Sequence, residues 1–274
     1  MGNTSFVKVL FISVVSALLT TGLSFKAYQH WYVNEVKIRS SSEFIISGIY
    51  QTGSKKEAIS TNLLAEMLEL SVDHPTHILD FDEKKMEKKL LSYPLFLSVK
   101  IQKKKPSSIM VDYEIREPLA ICQDFNDALI DEHGVIFPYH TFFSQKNLPY
   151  VFLGVSEEGD IEEKKRLFLK ILKTASFMLG DSNFKITAID VSKAYLESFS
   201  KREIVIKVQQ DDQGVIFPYF LRANTLDLEK PLSNFLVLSK ELGKQQKLWL
   251  KLNQGKLPQP KIIDLRLDGM AFIE

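Results

Sequence analysis

The stretch LFLSVKIQKKKPSSIMVDYEIREPLA, residues 95 to 120, decides the fold of the first half of this chain. It contains two strand-like runs, Leu95 to Ile101 and Ile109 to Tyr113, on either side of a turn around Pro106. Short apolar and β-branched runs bounded by a proline-containing turn are typical of neighbouring strands. The sequence therefore predicts two adjacent strands that end just before Pro118.

Upstream of this stretch the sequence predicts one strand and two helices. The strand is Phe44 to Tyr50, and Ser54 with Glu57 forms a capping-box pair that predicts a helix start. A second helix is predicted to begin near Asp82, because acidic residues followed by lysines match the helix dipole. The predicted order over residues 43–117 is strand, helix, helix, strand, strand.

An uncharged run from Val9 to Phe25 lies between Lys8 and Lys26. Its 17 residues would span about 26 Å as a helix, against a hydrocarbon core of about 30 Å. The pattern predicts a single transmembrane helix at 9–26, after a cytoplasmic tail at 1–8 and before a juxtamembrane linker at 27–42. A cleaved secretory signal is the alternative interpretation of the same run.

Charge and cysteine content exclude several classes of protein. The chain has 35 basic and 34 acidic residues, so no overall field attracts nucleic acid. Cys122 is the single cysteine, which excludes an internal disulfide and a thiolate metal cage. Its expected place is the core, and an intermolecular disulfide is the alternative.

A lysine-rich stretch allows two interpretations. One is a solvated helix face and turn; the other is a basic surface that meets anionic lipid or an acidic segment of a partner. The residues of this possible surface are Lys84, Lys85, Lys88, Lys89, Lys103, Lys104 and Lys105.

Strand-like runs dominate residues 118–274, and two helices interrupt them. The helices are predicted from Asp160 to Gly180 and from Glu229 to Gly243. The segment Gly-Val-Ile-Phe-Pro-Tyr occurs at 134–139 and again at 214–219. We interpret both copies as hairpin exits with glycine in the turn and proline ending the strand, and duplicated binding elements are the alternative.

The end of the sequence predicts a hairpin. Ile262 to Arg266 and Met270 to Ile273 are strand-like, and Asp268-Gly269 between them suits a tight turn. An outermost strand offers unpaired backbone groups to any extended segment that adds to the sheet. The alternative is a hairpin that only closes the core, with an ion pair between Asp264 and Arg266.

Motifs of catalysis are missing from the sequence. It contains no nucleophile elbow, P-loop, zinc-protease motif or dinucleotide fingerprint. His74, His77 and Asp80 are close enough in sequence to consider a metal, and Asp131 with His133 crowds a predicted turn. We interpret all of them as ordinary polar residues. The sequence therefore predicts no enzyme, no cofactor, no metal site and no small-molecule substrate.

Several motifs resemble one bacterial family. They are Thr-His-Ile-Leu-Asp-Phe-Asp at 76–82, Tyr93-Pro94, Arg-Glu-Pro-Leu-Ala at 116–120, and Asp-Leu-Arg at 264–266 followed by Gly269. The first unit resembles a POTRA domain, and the whole chain resembles the cell-division family FtsQ/DivIB. Leu267, where the family often has an aromatic residue, and a long link at 244–260 depart from the family pattern.

The resemblance implies an α+β fold with a single N-terminal transmembrane helix, a POTRA domain (β-α-α-β-β) at 43–117 and a mostly antiparallel β-sheet domain with flanking helices at 118–274. It implies a non-enzymatic divisome scaffold in the bacterial cytoplasmic membrane at the division septum, with its bulk extracytoplasmic. Implied partners are FtsB-like and FtsL-like single-span proteins, the septal peptidoglycan synthase complex and the lipid membrane. The candidate partner-binding residues are Arg266, Met270, Ala271, Phe272 and Ile273.

Two alternatives to the scaffold come from other classes of protein. One is a POTRA-containing assembly or secretion factor that binds strands of client proteins. The other is a membrane-tethered extracytoplasmic hydrolase, for which Asp131, His133 and His77 are the residues to test.

Overall fold

A computed structural model of the chain divides it into two compact units, Met1–Glu114 and Ile115–Glu274. The structure describes residues 3–53, 58–140, 143, 147–180, 183–212, 214–253, 256, 259–267 and 269–274. The first unit has a three-stranded sheet and the second a nine-stranded sheet. The protein is therefore a mixed α+β protein.

The N-terminal segment forms one helix of 38 residues, α1 (Asn3–Ser40). Within the described part of the chain, no helix combines the length and the apolar character needed to cross a membrane. The predicted transmembrane helix at 9–26 is therefore wrong, and so is the single-pass placement in the cytoplasmic membrane at the septum. The physical reason lies in the length of the uncharged run, because about 26 Å falls short of a hydrocarbon core of about 30 Å.

The helix also replaces the linker predicted at 27–42. No glycine or proline occurs between Gly22 and Gly48, so nothing in the sequence ends the helix early. Lys37 and Arg39 lie in its last turn, where cations interact favourably with the helix dipole.

Beyond α1, the part of the first unit that the structure describes forms three strands and two short helices. The elements are β1 (Gly48–Gly53), α2 (Thr61–Met67), α3 (Glu83–Ser92), β2 (Phe96–Lys104) and β3 (Ser108–Ile115). The sheet order is β1-β3-β2, and β1 is parallel to β3. The two helices therefore lead the chain from one outer strand, β1, to the other, β2.

Two of these elements begin later than predicted. Residues 42–44 form a 3-10 turn, so the first strand begins at Gly48 instead of Phe44. The predicted capping pair Ser54 and Glu57 lies outside the described residues. The hydroxyl of Ser60 caps α2 by accepting a hydrogen bond from the Leu63 N–H at 3.3 Å. A closer N-cap residue thus fixes the helix start.

Helix α3 begins as predicted and covers the outer side of β2. The Asp82 carboxylate caps it by accepting the N–H of Lys85 at 3.1 Å. The Glu87 carboxylate accepts the backbone N–H of Ile101 at 2.8 Å, and the Glu83 carboxylate accepts that of Lys103 at 2.6 Å. These two acids satisfy donors that an outer strand otherwise leaves unpaired.

The described residues of the second unit form nine strands and two long helices. The elements are β4 (Ala120–Cys122), β5 (Ala128–Ile130), β6 (Ile136–Pro138), β7 (Tyr150–Phe152), α4 (Ile161–Leu179), β8 (Phe184–Asp190), β9 (Ile204–Asp212), β10 (Val215–Ala223), α5 (Glu229–Leu252), β11 (Lys261–Asp264) and β12 (Phe272–Ile273). The link predicted at 244–260 is partly wrong, because α5 continues to Leu252.

The strand order in the second sheet is β12-β11-β10-β9-β8-β7-β4-β5-β6. Five of its eight pairings are antiparallel, and the pairs β10–β11, β7–β8 and β4–β7 are parallel. The sheet is therefore mixed, with an antiparallel majority.

Both helices contribute to one core against this sheet. Helix α4 contributes Phe168, Ile171 and Ala175, which are fully buried. Phe235 of α5 packs on Phe184 with ring centroids 4.9 Å apart. Cys122 is also in this core, where burial raises the pKa of its thiol to about 11, so the thiol stays protonated and unreactive at neutral pH.

The repeated Gly-Val-Ile-Phe-Pro-Tyr segment follows a turn in both copies. Gly134 has a φ of +78° and Gly214 a φ of +81°, which few other residues adopt. Pro138 ends β6, but β10 continues past Pro218 to Ala223. The predicted strand end is therefore found in the first copy only.

The two acids of α3 lead to a stability prediction. We expect Glu87→Ala to lower the free energy of unfolding by about 1–2 kcal/mol, because the buried Ile101 N–H loses its charged acceptor. Urea denaturation measures this loss, and faster amide exchange at Ile101 locates it. The control is Glu66→Ala at an exposed position of α2, with an expected effect within about 0.5 kcal/mol. Equal losses in the two variants contradict the role of Glu87.

Candidate functional site

The outermost strand at one end of the large sheet is β12. It is antiparallel to β11, with Phe272 opposite Asp264 and Ile273 opposite Ile263. Among the described residues, no strand pairs with its other side. The C-terminal hairpin thus forms an open edge of the nine-stranded sheet.

The hydrogen bonds of the hairpin show which backbone groups are available at this edge. Glu274 and Ile262 exchange two backbone hydrogen bonds, of 2.9 and 3.1 Å. Bonded and non-bonded positions alternate along an antiparallel pair, so the N–H and C=O of Ile273 point away from β11. One donor and one acceptor therefore face the open side.

Apolar side chains surround these groups. Phe272 is 53% exposed and Ile273 is 44% exposed, and Leu267 and Met270 of the preceding turn are exposed as well. Neighbouring exposed apolar residues of this size are typical of interaction sites. We call these four residues the apolar edge patch.

The candidate residues occupy different parts of the hairpin. Met270 and Ala271 precede β12, so the strand is shorter than predicted. In the turn, the N–H of Met270 donates to the Leu267 carbonyl at 3.2 Å, and Gly269 has a φ of +71°. Asp268, the other residue of the predicted turn, lies outside the described residues.

Arg266 belongs to a group of charged side chains beside the edge. Its Nη2 lies 2.6 Å from the Asp264 Oδ2, which confirms the ion pair considered from the sequence. Arg222 donates its Nε–H to Glu203 at 2.8 Å and places Nη1 3.6 Å from Asp264. Lys193 approaches Glu203 at 3.5 Å. We call these five residues the charged cluster.

Within the charged cluster each arginine has an acidic partner. The hydrogen bond from Arg266 is the main reason that the pKa of Asp264 lies below its ordinary value of 3.8. Because both arginines are paired, the cluster fixes the end of the hairpin and offers no free guanidinium. Arg266 is therefore placed to orient the edge more than to reach a partner.

A concave surface adjoins the cluster and the edge patch. Its volume is about 400 Å³, and Phe199, Arg202, Leu267 and Phe272 contribute to its wall. The Arg202 guanidinium lies 3.9 Å above the Phe199 ring. This hollow can receive an apolar side chain of a segment that lies along β12.

The lysines of the possible basic surface lie on α3 and at the end of β2. Lys84, Lys85, Lys88, Lys104 and Lys105 are exposed. Lys89 is half-buried and pairs with Glu69 at 2.6 Å. Lys103 is half-buried, and its backbone N–H bonds to Glu83, which places the start of α3 beside the turn. The first unit therefore brings lysines from both segments together.

The residues considered for hydrolysis have structural partners. Asp131 is buried; it accepts a hydrogen bond from Arg116 at 2.6 Å and from the Val135 N–H at 2.8 Å. The His77 Nδ1 accepts the N–H of Leu79, and His77 belongs to the first unit whereas Asp131 belongs to the second. In the described part of the chain, no three metal-ligating side chains gather into a possible metal site.

Glu203 and Arg222 belong to the charged cluster beside the edge, but the sequence did not identify them as candidate residues. They lie near the ends of two apolar strands, where a charged residue is unusual enough to notice. The contact of Arg222 with Asp264 depends on the parallel register of β10 and β11, which places the two residues opposite each other. That register is not visible in the local sequence.

The charged cluster predicts a pH-dependent contribution to stability. Since the folded pKa of Asp264 is below 3.8, this contribution is complete well above pH 3.8 and is lost as the pH falls from there towards the folded pKa. We expect Asp264→Asn to cost about 1–3 kcal/mol at pH 7 in urea denaturation, and progressively less as the pH falls below 3.8. The exposed Asp127→Asn in the same unit is the control, with almost no effect at either pH. A pH-independent loss contradicts the assignment.

The exposed lysines at the end of β2 lead to a prediction about binding to anionic lipid. We expect Lys104→Glu with Lys105→Glu to weaken binding to phosphatidylserine vesicles at least about tenfold, since each lysine near an anionic surface contributes about 1 kcal/mol. Co-sedimentation measures the change. Lys170→Glu with Lys173→Glu, on exposed positions of α4, changes the net charge equally and serves as control. An equal loss in both pairs contradicts a defined basic surface.

Comparison with known proteins adds no assignment. The chain matches no protein-family model and no curated protein sequence. The resemblance to FtsQ/DivIB therefore stays a prediction from the motifs quoted above.

Proposed function

We propose that this chain is a non-enzymatic binding protein that adds an extended segment of a partner to β12 as a further strand. The observation that carries the proposal is the open side of β12, where the N–H and C=O of Ile273 point outward beside the apolar edge patch. Backbone hydrogen bonds would supply affinity, and pockets for alternate side chains would supply specificity.

The features around the strand support this mode of binding. Phe272 and Ile273 present their side chains on opposite faces of the sheet, because side chains alternate along a strand. Phe272 borders the hollow that contains Arg202, so one face of an added strand has a site for an apolar side chain. The charged cluster holds β11 and the neighbouring β10 in register, which keeps this edge rigid.

For the class of partner we rely on the family resemblance. The proposed partners are FtsB-like and FtsL-like division proteins, and through them the septal peptidoglycan synthase complex. The proposed role is a divisome scaffold that joins these proteins. The order β-α-α-β-β of the first unit, with β3 between β1 and β2, supports a POTRA domain as a second binding module. No membrane anchor is part of this proposal.

Crosslinking in cells tests the proposal directly. A photoreactive amino acid replaces Phe272, and the same replacement at the exposed Phe177 of α4 is the matched control. We expect mass spectrometry to find small division proteins of the FtsB and FtsL type attached at position 272 and not at 177. Client proteins of the outer membrane would instead favour an assembly factor. Absence of adducts, or identical adducts at both positions, contradicts the proposal.

The backbone geometry also predicts how substitutions of Ile273 change the yield of adducts at position 272. We expect Ile273→Pro to lower the yield of adducts at position 272 about tenfold, because it removes the N–H that an added strand needs. The β11–β12 bonds are kept, since they involve Glu274 and not Ile273. Ile273→Ala keeps the N–H and should retain most of the yield. Equal losses for proline and alanine contradict backbone pairing and point to the side chain.

A further inference from the structure

Three segments meet at one edge of the large sheet, because the strands before them are parallel. Strands β4, β7 and β8 point in the same direction, so the residues that follow them lie side by side. Asp124 follows β4. Residues 154–159, which we call the glycine loop, follow β7 and lead into α4. Residues 192–202, which we call the wall segment, follow β8 and include Phe199 and Arg202 of the hollow beside β12. The hollow is thus built partly by a segment that lies outside the sheet.

A buried lysine holds the glycine loop. Lys164, in the first turn of α4, is only 1% exposed and is the one buried cationic side chain in the described part of the chain. Its ammonium donates to the carbonyl of Gly154 at 2.8 Å and to that of Glu157 at 3.4 Å. A buried ammonium is costly unless it is hydrogen-bonded, so the loop must keep both carbonyls turned towards Lys164.

Asp124 holds the start of the same loop through its amides. Its carboxylate accepts the three consecutive backbone N–H groups of residues 153–155, at 2.6, 2.6 and 3.1 Å. The two charged side chains therefore hold different parts of the loop. Without the ammonium of Lys164, the first residues would stay bonded to Asp124, and the part from Glu157 onward would lose its support.

The glycine loop lies directly against the wall segment. A Cβ atom at Gly154 would be 2.5 Å from the Cβ of Ser192, and one at Gly159 would be 2.8 Å from the Cβ of Tyr195. The two glycines have φ values of +64° and +102°, which few other residues adopt. The loop and the wall segment therefore touch at two points where no side chain fits between them.

Hydrogen bonds extend this contact to the hollow. The Glu158 carboxylate accepts the backbone N–H of Glu197 at 2.8 Å. The neighbouring carbonyl of Leu196 accepts the Nε–H of Arg202 at 2.5 Å, and the Arg202 guanidinium lies above the Phe199 ring. A continuous series of contacts thus connects the buried lysine, through the glycine loop, to two residues in the wall of the hollow.

We propose that Lys164 is a positioning residue that, through the glycine loop, keeps the wall segment in the place where it forms the hollow. The inference rests on the proposed strand addition at β12, since it assigns the hollow to a side chain of the added strand. An ordered wall reduces the entropy lost when that side chain enters. Loss of the ammonium therefore loosens the wall and weakens capture in the hollow, while the N–H and C=O of Ile273 remain available for backbone pairing.

Hydrogen exchange of the purified full chain tests the positioning role without any partner. Lys164→Met keeps an apolar stem and removes the ammonium. We expect it to accelerate amide exchange at Glu197 and Arg202 at least about tenfold and to leave Ile206, in the interior strand β9, unchanged. Unchanged exchange at Glu197 and Arg202 overturns the proposal. So does an equal acceleration at Ile206, because that result means a general loss of stability.

The neighbouring lysine provides a matched control. Lys165→Met removes an ammonium from the next position of α4, where it pairs with Glu162 at 2.8 Å. We expect this variant to leave the exchange of Glu197 and Arg202 unchanged, because Lys165 has no bond to the glycine loop. Equal acceleration by the two methionine variants overturns the specific role of Lys164.

Variants of Glu158 test the route from the loop to the wall segment. We expect Glu158→Ala to accelerate exchange at Glu197 and Arg202, and Glu158→Gln, which keeps an oxygen acceptor, to leave it nearly unchanged. Combining Glu158→Ala with Lys164→Met should add little to the larger single effect, since both act through one contact. Fully additive effects overturn the shared route. If Lys164→Met does not fold, unchanged exchange at Arg202 in Glu158→Ala still overturns it.

Crosslinking in cells separates this inference from the proposed function. A photoreactive amino acid at Phe199 samples the hollow, and one at Phe272 samples the edge. In Lys164→Met we expect the yield of adducts at 199 to fall about 3- to 10-fold and the yield at 272 to fall less than about twofold. An unchanged yield at 199, or equal losses at both positions, overturns the role of Lys164 in the hollow. Absence of adducts at 272 in the unaltered chain contradicts strand addition itself, and the exchange rates then decide the positioning role alone.

Discussion

The backbone N–H and C=O groups along an outer β-strand must be bonded, covered or left for a partner, and this constraint organises both units of the protein. In the first unit, Glu83 and Glu87 bond to the outer donors of β2. In the second, the outer strand β6 is three residues long and contains Pro138, which has no N–H to offer. Strand β12 is shorter still, but it contains no proline, no acid among the described residues bonds to its outer N–H, and its side chains are apolar and exposed. The contrast between protected and unprotected outer strands is the main reason to regard β12 as the functional one.

The charged cluster stabilises the hairpin that carries this open edge. A strand of two residues has few bonds of its own, so the register of β11 must be fixed from elsewhere. Arg222 lies opposite Asp264 in the parallel pair, and Arg266 bonds to the same carboxylate. Lys193 is exposed, but the other four side chains of the cluster are partly shielded from solvent, where charge-assisted hydrogen bonds are stronger than at a fully exposed surface. The hairpin is thus held by side chains of interior strands, while its outer backbone groups stay free.

The parts of the structure that the sequence predicted are those with local signals. Asp82 and Asp160 mark the starts of α3 and α4 because a carboxylate caps free amides within its own turn. The extension of α5 to Leu252, the parallel pairing of β10 with β11 and the contact of Arg222 with Asp264 depend on residues far apart in sequence. The linker predicted at 27–42 was wrong for a related reason, because polar composition alone does not say where a helix ends. The candidate edge and the pair of Asp264 with Arg266 could be located from the hairpin motif, but the contacts that Arg222 and Glu203 make with this pair could not.

The two copies of Gly-Val-Ile-Phe-Pro-Tyr show how position in a sheet decides what a local motif does. Both copies turn at a glycine of positive φ, and both bury the phenylalanine. Tyr139, which follows the outer strand β6, is 40% exposed; its counterpart Tyr219 in the interior strand β10 is 1% exposed and bonds to Gln246. Pro138 ends β6. Its counterpart Pro218 lies within β10, just before the first residue that pairs with β11, in the wall of a concave surface between α5, β10 and β11. Lys261 and Glu274 of the C-terminal hairpin border the same concave surface, so the hairpin that presents the open edge also packs beside the end of α5.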